Sequence, residues 1–505
     1  MLGWLADFFR LLGGLFYWNI RKTWFQQRRG RSPCPCQSPS DSGLAFETGC
    51  EACVQWSRPI RFQRVCPLLV ETLDGLRCSA NTADVRPFWS RTLRYYGGVL
   101  GTLYVIAVLA VFVFLRTIGY PVSILDIGLP PLWHRLAHAR GWYFFEQSQR
   151  AFTAGRSAEG VLYLANAYEF DPANYKIGIT LAKNYQLGQP AHSDEVFERL
   201  IREHPEHRNA TAQDWFRALL ARGSFEKITA LARDQLLTDD LSGHVWMRAL
   251  LFATHQIGDD QPLRALLSSP VPAAGIWRPL IETELLMRSG RTADARAAVD
   301  RKWPDGPPAF VAFSVYYRVS VLIALRDAFA ALDLLDRNLQ TIDEEARRTL
   351  RLEAFASAGA KQQLRIEIEQ LLGPRHNLPR VKILCAHLIR HPNAEVFARL
   401  SDKLDYEKMP LDSDSAGIWF SLLCAAGVVG DQPRLHLLTE KLKRASTPPF
   451  MALGLVEGFF LGKAAERRIT SVLPILPLPA EVTYSLLEHY ALPARGVVLP
   501  VLPRK

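Results

Sequence analysis

Six of the chain's eight cysteines lie between residues 34 and 78, in a spacing that is typical of a metal site. They comprise a C-x-C pair, a C-x2-C pair and two single residues, namely Cys34 and Cys36, Cys50 and Cys53, and Cys66 and Cys78. Closely spaced thiol pairs on tight turns are the usual way to build a tetrahedral zinc site in a reducing compartment. Pro35, Pro39, Gly43 and Gly49 favour turns beside both pairs. The sequence therefore predicts a structural zinc ion.

Two sets of four ligands are compatible with these spacings, and all six cysteines could also serve together. Either the C-x-C and C-x2-C pairs close one site together, or Cys50 and Cys53 combine with Cys66 and Cys78, which is nearer to a zinc-ribbon loop. A reversible redox role for the thiols, or no shared site at all, are the alternatives. Lasting disulfides are disfavoured if this region is cytosolic, because cellular thiols keep cysteines reduced. The compartment therefore decides the chemistry, and it depends on where the chain crosses a membrane.

The membrane-crossing element is predicted at residues 95–115, which carry no charge and are flanked by Arg94 and Arg116. A helix of this length covers the hydrocarbon core of a bilayer, which is roughly 30 Å thick. Residues 75–94 hold four basic residues and residues 116–135 hold two. The positive-inside rule then predicts a cytoplasmic N-terminal region and places the rest of the chain on the other side. The low share of Lys among the basic residues favours a bacterial inner membrane, so the C-terminal part is expected in the periplasm.

The regions around this span have distinct compositions. Residues 1–20 predict an amphipathic helix that lies in the membrane interface, because polar and apolar side chains fall on opposite sides of it. Residues 21–94 form the cysteine-rich domain, and residues 116–139 a juxtamembrane connector. The basic run up to Arg31 favours lipid headgroups over nucleic acid, which would require basic residues concentrated on one recognition element. The predicted lipid contacts are therefore residues 1–31 and 95–115, and no nucleic-acid partner is expected.

Beyond about residue 133 the chain alternates apolar helical segments with turns that recur at a regular interval. Glycines mark most of these turns, at Gly155, Gly188, Gly223, Gly258, Gly290, Gly359 and Gly430. The two gaps of double length contain turn sequences at Arg326-Asp327 and Pro392-Asn393. A period near 34 residues with two helices per unit is typical of helical solenoids. We therefore expect a mainly α fold, an α-solenoid of about nine two-helix repeats that follows a single transmembrane helix and a small cysteine-rich domain.

One unit of this region, residues 144–172, resembles the tetratricopeptide repeat family. Beside an aromatic residue on the first helix, its motif positions are Gly155, Gly160, Leu164, Ala167 and the closing Asp171-Pro172-Ala173-Asn174. Later units keep the period better than the motif, with Trp246, Trp277 and Trp419 near the position of the first-helix aromatic. The resemblance covers roughly residues 140 to 445 and implies a partner-binding repeat domain, drawn at 140–462. Its aromatic residues are expected in the core, and residues 463–505 are predicted to form a terminal cap and a Pro-rich tail.

Motifs for catalysis are largely missing. His134 and His138 have metal-ligand spacing on a helix, but no Glu lies between them and no third ligand follows. We therefore expect a membrane-anchored scaffold that binds a protein or peptide partner in cell-envelope assembly, and neither enzyme activity nor a small-molecule substrate. The alternatives are a transmembrane redox or metal sensor that uses the N-terminal thiols, and an enzyme whose site forms only in the fold.

Overall fold

The computed structural model is almost entirely helical, with a single two-stranded hairpin in its described part. It divides into two compact units, Met1–Tyr143 and Phe144–Lys505, which we call the N-terminal and C-terminal units. The residues that it describes are 69–72, 75–78, 97–238, 243–269, 275–373, 378–404, 406, 409, 412–445, 452–463 and 468–490. The prediction of a mainly α chain is thus confirmed for these residues.

The N-terminal unit contains the hairpin and one long apolar helix. Strands β1 (Leu69–Thr72) and β2 (Gly75–Cys78) pair antiparallel, with Leu69 opposite Cys78. Helix α1 (Gly98–Ile118) is long and apolar enough to cross a membrane, and its side chains are almost all exposed within the unit. The helix continues past Arg116, whose positive charge interacts favourably with the helix dipole in the last turn. It ends where Gly119 adopts a left-handed φ of 104°.

The chain after α1 folds back along that helix. Helix α2 (Ile124–Gly128) begins with a capping box in which Ser123 and Asp126 satisfy each other's backbone N–H groups. The hydroxyl of Tyr104, on α1, donates to the carbonyl oxygen of Gly128, and Gly128 lies against the side chain of Val108. The first part of the predicted connector is therefore packed on the apolar helix.

The C-terminal unit is built from consecutive helices, beginning with α3, which crosses the boundary between the units. The first ten are α3 (His134–Thr153), α4 (Ser157–Phe170), α5 (Tyr175–Tyr185), α6 (Pro190–Glu203), α7 (Arg208–Arg222), α8 (Phe225–Thr238), α9 (Gly243–Ile257), α10 (Gln261–Leu267), α11 (Arg278–Arg288) and α12 (Thr292–Asp300). The others are α13 (Pro308–Ala324), α14 (Ala328–Arg337), α15 (Glu344–Ser357), α16 (Lys361–Leu371), α17 (Leu378–Arg390), α18 (Ala394–Lys403), α19 (Ser413–Val429), α20 (Gln432–Ala445), α21 (Leu453–Phe460) and α22 (Ala480–Tyr490).

The predicted turns separate these helices in pairs. Six of the seven predicted turn glycines have a positive φ, namely Gly155, Gly223, Gly258, Gly290, Gly359 and Gly430. Gly188 lies in the turn between α5 and α6 without one. Where a glycine is missing, Arg326 itself adopts a φ of 60°, and Asn393 instead caps α18 by accepting a hydrogen bond from the N–H of Val396. The turn positions are thus confirmed, and the two substituted turns use different devices.

The core lies between the first helices of successive pairs. Helices α13, α15, α17 and α19 each contact the next in this series, and the second helices α14, α16 and α20 pack on their own first helices. Trp246, Trp277 and Trp419 are 0%, 4% and 2% exposed, which confirms that these aromatics belong to the core. In the first repeat unit, residues 144–172, Leu164 and Ala167 are fully buried, and Gly160 lies so close to the Phe152 ring that an added Cβ would be 2.7 Å from it.

The end of the chain returns to the middle of the helical array. After α21, two 3-10 turns (Ile469–Ser471 and Leu473–Ile475) contact α7, and α22 packs against α7 and α17. We call residues 468–490 the C-terminal strap. Its apolar side chains Val482, Tyr484, Leu486 and Leu487 are at most 4% exposed. The segment predicted as a terminal cap thus joins helices that lie far apart in the sequence.

Candidate functional site

Most of the predicted zinc ligands lie outside the described residues. These are Cys34, Cys36, Cys50, Cys53 and Cys66. The backbone of Cys78 is described, at the end of β2. The other two cysteines of the chain, Cys385 and Cys424, are free, fully buried thiols in α17 and α19, and burial raises the pKa of both well above its usual value. Such thiols are inert, which makes them useful controls.

A concentration of buried charge lies where the strap crosses α15 and α17. We call it the central ion cluster, and it consists of Glu353, His387, Arg390, His391 and Glu488. Glu353 is close to three of the others, with distances of 3.4 Å to His387 Nδ1, 2.9 Å to His391 Nε2 and 3.8 Å to Arg390 Nη1. Arg390 Nη2 donates to Glu488 Oε2 on α22 at 2.7 Å. One arginine thus connects α15 with the strap.

The two carboxylates of this cluster are shifted in opposite directions. Burial by itself would raise the pKa of Glu353, but the hydrogen bonds to His387 and His391 and the charge of Arg390 outweigh it and hold that pKa far below its usual range. Burial raises the pKa of Glu488, although the charge of Arg390 opposes this. The arginine therefore stabilises two carboxylates, of which Glu353 is the more firmly ionised.

Three members of the cluster could ligate a metal by type and distance. One potential ligand atom each from Glu353, His387 and His391 lies within 4.8 Å of the other two. The guanidinium of Arg390, however, already lies 3.8 Å from the same Glu353 oxygen that faces His387. A divalent cation placed there would be repelled by this permanent positive charge at short range. We therefore interpret the group as a hydrogen-bonded ion cluster that holds the strap.

Replacing Glu353 with Gln tests this interpretation through pH. At pH 7 we expect the free energy of unfolding to fall by about 1–3 kcal/mol, because charge-assisted hydrogen bonds are lost. The folded-state pKa of Glu353 is lower than the ordinary value of 4.5, so the stability gained from its ionisation is present above about pH 4.5 and is lost as the pH falls further. Urea unfolding of the detergent-solubilised chain should then show a smaller difference in the free energy of unfolding between wild type and variant at pH 3.5 than at pH 7.

Glu488→Gln is the matched control for this experiment. Because the pKa of Glu488 is raised, ionisation of its carboxyl group lowers the free energy of unfolding as the pH rises, which is opposite to the effect of Glu353. A Glu353→Gln effect that does not depend on pH, or one that grows in acid, would contradict the assigned role of Glu353.

A cavity of about 510 Å³ lies near the central ion cluster, and the charge of Arg248, one of its lining residues, acts on Glu488 of that cluster. Its wall comes from α7, α9, α13, the start of α15 and the first turns of α22, and its basic and acidic lining residues are His244, Arg248, Asp343 and Glu481. Arg248 and Glu481 are 8% and 3% exposed, so both are charged side chains buried among apolar neighbours. This volume falls within the range of pockets that hold small molecules in proteins.

Sequence reasoning did not find these groups. His387 and His391 have the same spacing as His134 and His138, but their acidic partner Glu353 is 34 residues upstream of the nearer one. The described part of the chain gives His134 another role, because its Nδ1 lies 3.0 Å from the carbonyl oxygen of Pro131. One feature of the sequence does point to the cavity, namely Arg248 as the lone arginine in the apolar helix GHVWMRALLFATHQI. A charge in such a helix is expected to be buried, and a buried charge needs a partner or a function.

The resemblance of residues 140 to 445 to tetratricopeptide repeats rests on the turn period and on small and aromatic residues at matching positions. In the first repeat unit, residues 144–172, Gly155 closes the turn with a positive φ, and the small residues Gly160 and Ala167 allow the helices to approach. Membership of that family is a prediction from the sequence for the first unit as well as for the later ones. Comparisons with protein-family models and with curated proteins found no match for this chain.

Proposed function

We propose that this chain is a single-pass membrane scaffold whose helical region binds a protein or peptide partner during assembly of a bacterial cell envelope. In this proposal residues 140–462 form a tetratricopeptide-like solenoid of about nine repeats in the periplasm. The N-terminal region lies in the cytoplasm, with residues 1–31 on the membrane surface and residues 21–94 holding a structural zinc ion. The helical array has no reaction of its own to perform in this role.

The observation that carries the proposal is the binding of the strap by the array. A Pro-rich stretch, LPILPLP at 473–479, and the helix that follows it contact α7 and α17, two of the helices that come first in their pairs. Solenoids present an extended surface formed by one helix of each repeat, and peptides bind along such surfaces. The chain's own strap therefore supplies an example of the kind of segment that these helices accept.

The membrane part of the proposal is supported by α1. Only 6% of its most apolar window is buried within the protein, whereas a core helix of a soluble protein would be mostly covered. Leu103, Val105 and Ile106 are each more than half exposed, which suits contact with lipid. The excess of basic residues before the helix supports a cytoplasmic N-terminus.

Orientation can be tested by maleimide labelling in intact cells. Phe329 is 86% exposed on α14, so a Phe329→Cys variant offers an accessible thiol in the helical region, while Cys385 and Cys424 are fully buried and should not react. We expect a membrane-impermeant maleimide to label position 329 and to leave the N-terminal thiols unmodified until the cells are opened. Labelling of the N-terminal thiols alone would place the helical region in the cytoplasm.

Partner binding can be tested by photo-crosslinking in membranes. A photoreactive residue would replace exposed side chains on three different first helices, at Lys183, Arg217 and Arg278, with exposed Phe329 on the second helix α14 as the control position. The proposal predicts that one and the same protein is crosslinked from more than one first-helix position and not from position 329. Crosslinks only within the chain itself, or identical products from every position, would contradict a scaffold role.

Zinc content provides a separate prediction. Both ligand sets contain Cys50 and Cys53, so the double substitution of these residues by Ser should remove about one zinc ion per chain from protein purified without chelator. The control is the double Cys385→Ala, Cys424→Ala variant, which alters only buried thiols and should keep its zinc. Metal analysis of both proteins decides the question, and wild-type protein without zinc would exclude the metal site.

A further inference from the structure

We infer that the cavity near the central ion cluster is a binding site for a small zwitterion, a molecule that carries a carboxylate and an ammonium group a few bonds apart. The inference rests on two buried side chains of opposite charge that face one cavity without pairing with each other. It goes beyond the scaffold role, which needs no small ligand, and the sequence does not predict it.

Arg248 supplies the anion-binding end. Its guanidinium carbon lies 4.4 Å from the centroid of the Tyr484 ring, so the group is stacked and its orientation is fixed. Its Nη2 atom is buried and has no hydrogen-bond partner within the described part of the chain. Arginine is a donor only, and its planar fork matches the two oxygens of a carboxylate. His244, one helical turn earlier on α9, lines the same cavity.

Glu481 supplies the cation-binding end. It lies in the first turn of α22, is 3% exposed, and makes no hydrogen bond or ion pair with another described residue. Asp343, which caps α15 through the N–H of Ala346, lines the cavity as well. Burial raises the pKa of neighbouring Glu345, and the charges of Asp343 and Glu481 add to this against the opposing effect of Lys382. Several carboxylates are thus gathered at this end of the cavity.

Leaving these two charges apart is costly unless something else binds them. A buried ion that forms no ion pair recovers only part of the hydration free energy that it loses, and Arg248 recovers some of it through the Tyr484 ring and the charge of Glu488. Glu481 and Tyr484 are three residues apart on α22, so the carboxylate lies near the ring on which Arg248 is stacked. No ion pair between Arg248 and Glu481 forms in the described structure, although both line the same cavity of about 510 Å³. A zwitterion placed between them satisfies both at once, with its carboxylate on Arg248 and its ammonium on Glu481.

The test uses the full chain in detergent and a series of ω-amino acids with three to six carbons as probes. Saturation-transfer NMR measures the affinity of each probe directly, and matched probes that lack one charge, pentanoate and pentylamine, complete the set. We expect one length of amino acid to bind at least tenfold more tightly than either singly charged probe, because two charge-assisted contacts act together. Equal binding of all probes, or binding of none at 10 mM, would overturn the inference.

Two variants assign the ends of the site. Arg248→Met keeps an apolar chain over Tyr484 and should weaken the best amino acid at least tenfold while leaving any binding of pentylamine unchanged. Glu481→Gln should weaken the same amino acid by a similar factor and spare pentanoate. Arg291→Met, at an exposed position paired with Asp294, is the control and should change nothing. Losses that are the same for every probe in both variants would indicate a general structural defect and would overturn the assignment.

Discussion

Replacement of Tyr484 by Ala is expected to lower the free energy of unfolding of the C-terminal unit by about 3–5 kcal/mol, the usual loss for a large buried aromatic side chain. Tyr484 is 4% exposed, and its ring packs edge-on against Phe252 with centroids 4.6 Å apart. It also lies near Phe216 and beneath the guanidinium of Arg248. These three residues belong to α7 and α9, so the substitution removes contacts between the end of the chain and helices more than two hundred residues earlier.

Urea unfolding of the detergent-solubilised chain, followed by circular dichroism, measures this effect. Tyr490→Ala is the control on the same helix, because Tyr490 is 41% exposed and has a smaller contact with Phe459, at 5.4 Å between ring centroids. We expect Tyr490→Ala to cost about 1 kcal/mol, in the range of ordinary single substitutions. If the two variants are equally stable, α22 does not occupy this position in solution.

This prediction bears on how a partner could bind. Val482, Leu486 and Leu487 are buried together with Tyr484, and each buried apolar side chain contributes about 1.5–3 kcal/mol. A peptide that displaced α22 would have to replace all of that burial as well as the ion pair between Arg390 and Glu488. We therefore expect partners to bind beside the strap, on helices that it leaves uncovered, and the strap to act as a permanent part of the domain.

The helical array could be predicted because its signals are local. A helix pair needs a sharp turn about every 34 residues, and glycine is the residue that adopts a positive φ without steric cost. Reading the double gaps as turns with a substituted glycine was also correct, since Arg326 has a φ of 60° at the expected place. Burial of Trp246 and Trp419 follows from the same periodicity, because residues at equivalent positions face the same core.

The candidate site could not be predicted because it depends on contacts between distant parts of the chain. Arg390 meets Glu488 across 98 residues, and Arg248 meets the ring of Tyr484 across more than twice that distance in sequence. Both contacts require the strap to return to the middle of the array, and no periodic pattern in residues 463–505 indicates this. The cysteines, whose spacing is the clearest chemical signal in the sequence, lie almost entirely outside the described residues.

Arg288→Ala should be about as damaging as Tyr484→Ala, for an electrostatic reason. The Arg288 side chain is 5% exposed and donates to Glu284 at 2.8 Å, to Asp260 at 2.9 Å and to the hydroxyl of Thr254 at 3.0 Å. The charges of Glu284 and Asp260 outweigh the effect of burial and raise the pKa of this guanidinium, so it remains charged. Without it the carboxylate of Glu284, 1% exposed, has only the Tyr317 hydroxyl as a hydrogen-bond donor among the described residues. Removing one partner of such a buried pair costs about 3–5 kcal/mol.

The control for this prediction lies three residues along the chain. Arg291 pairs with Asp294 at 2.7 Å, but both side chains are more than half exposed, and such surface pairs contribute at most about 1 kcal/mol. Urea unfolding should therefore separate Arg288→Ala from Arg291→Ala by several kcal/mol, despite their similar hydrogen-bond lengths. Adding Glu284→Gln to Arg288→Ala should restore part of the loss, because the uncompensated charge is removed while Tyr317 keeps an acceptor. If the second substitution destabilises further, the cost lies in lost packing and not in the buried charge.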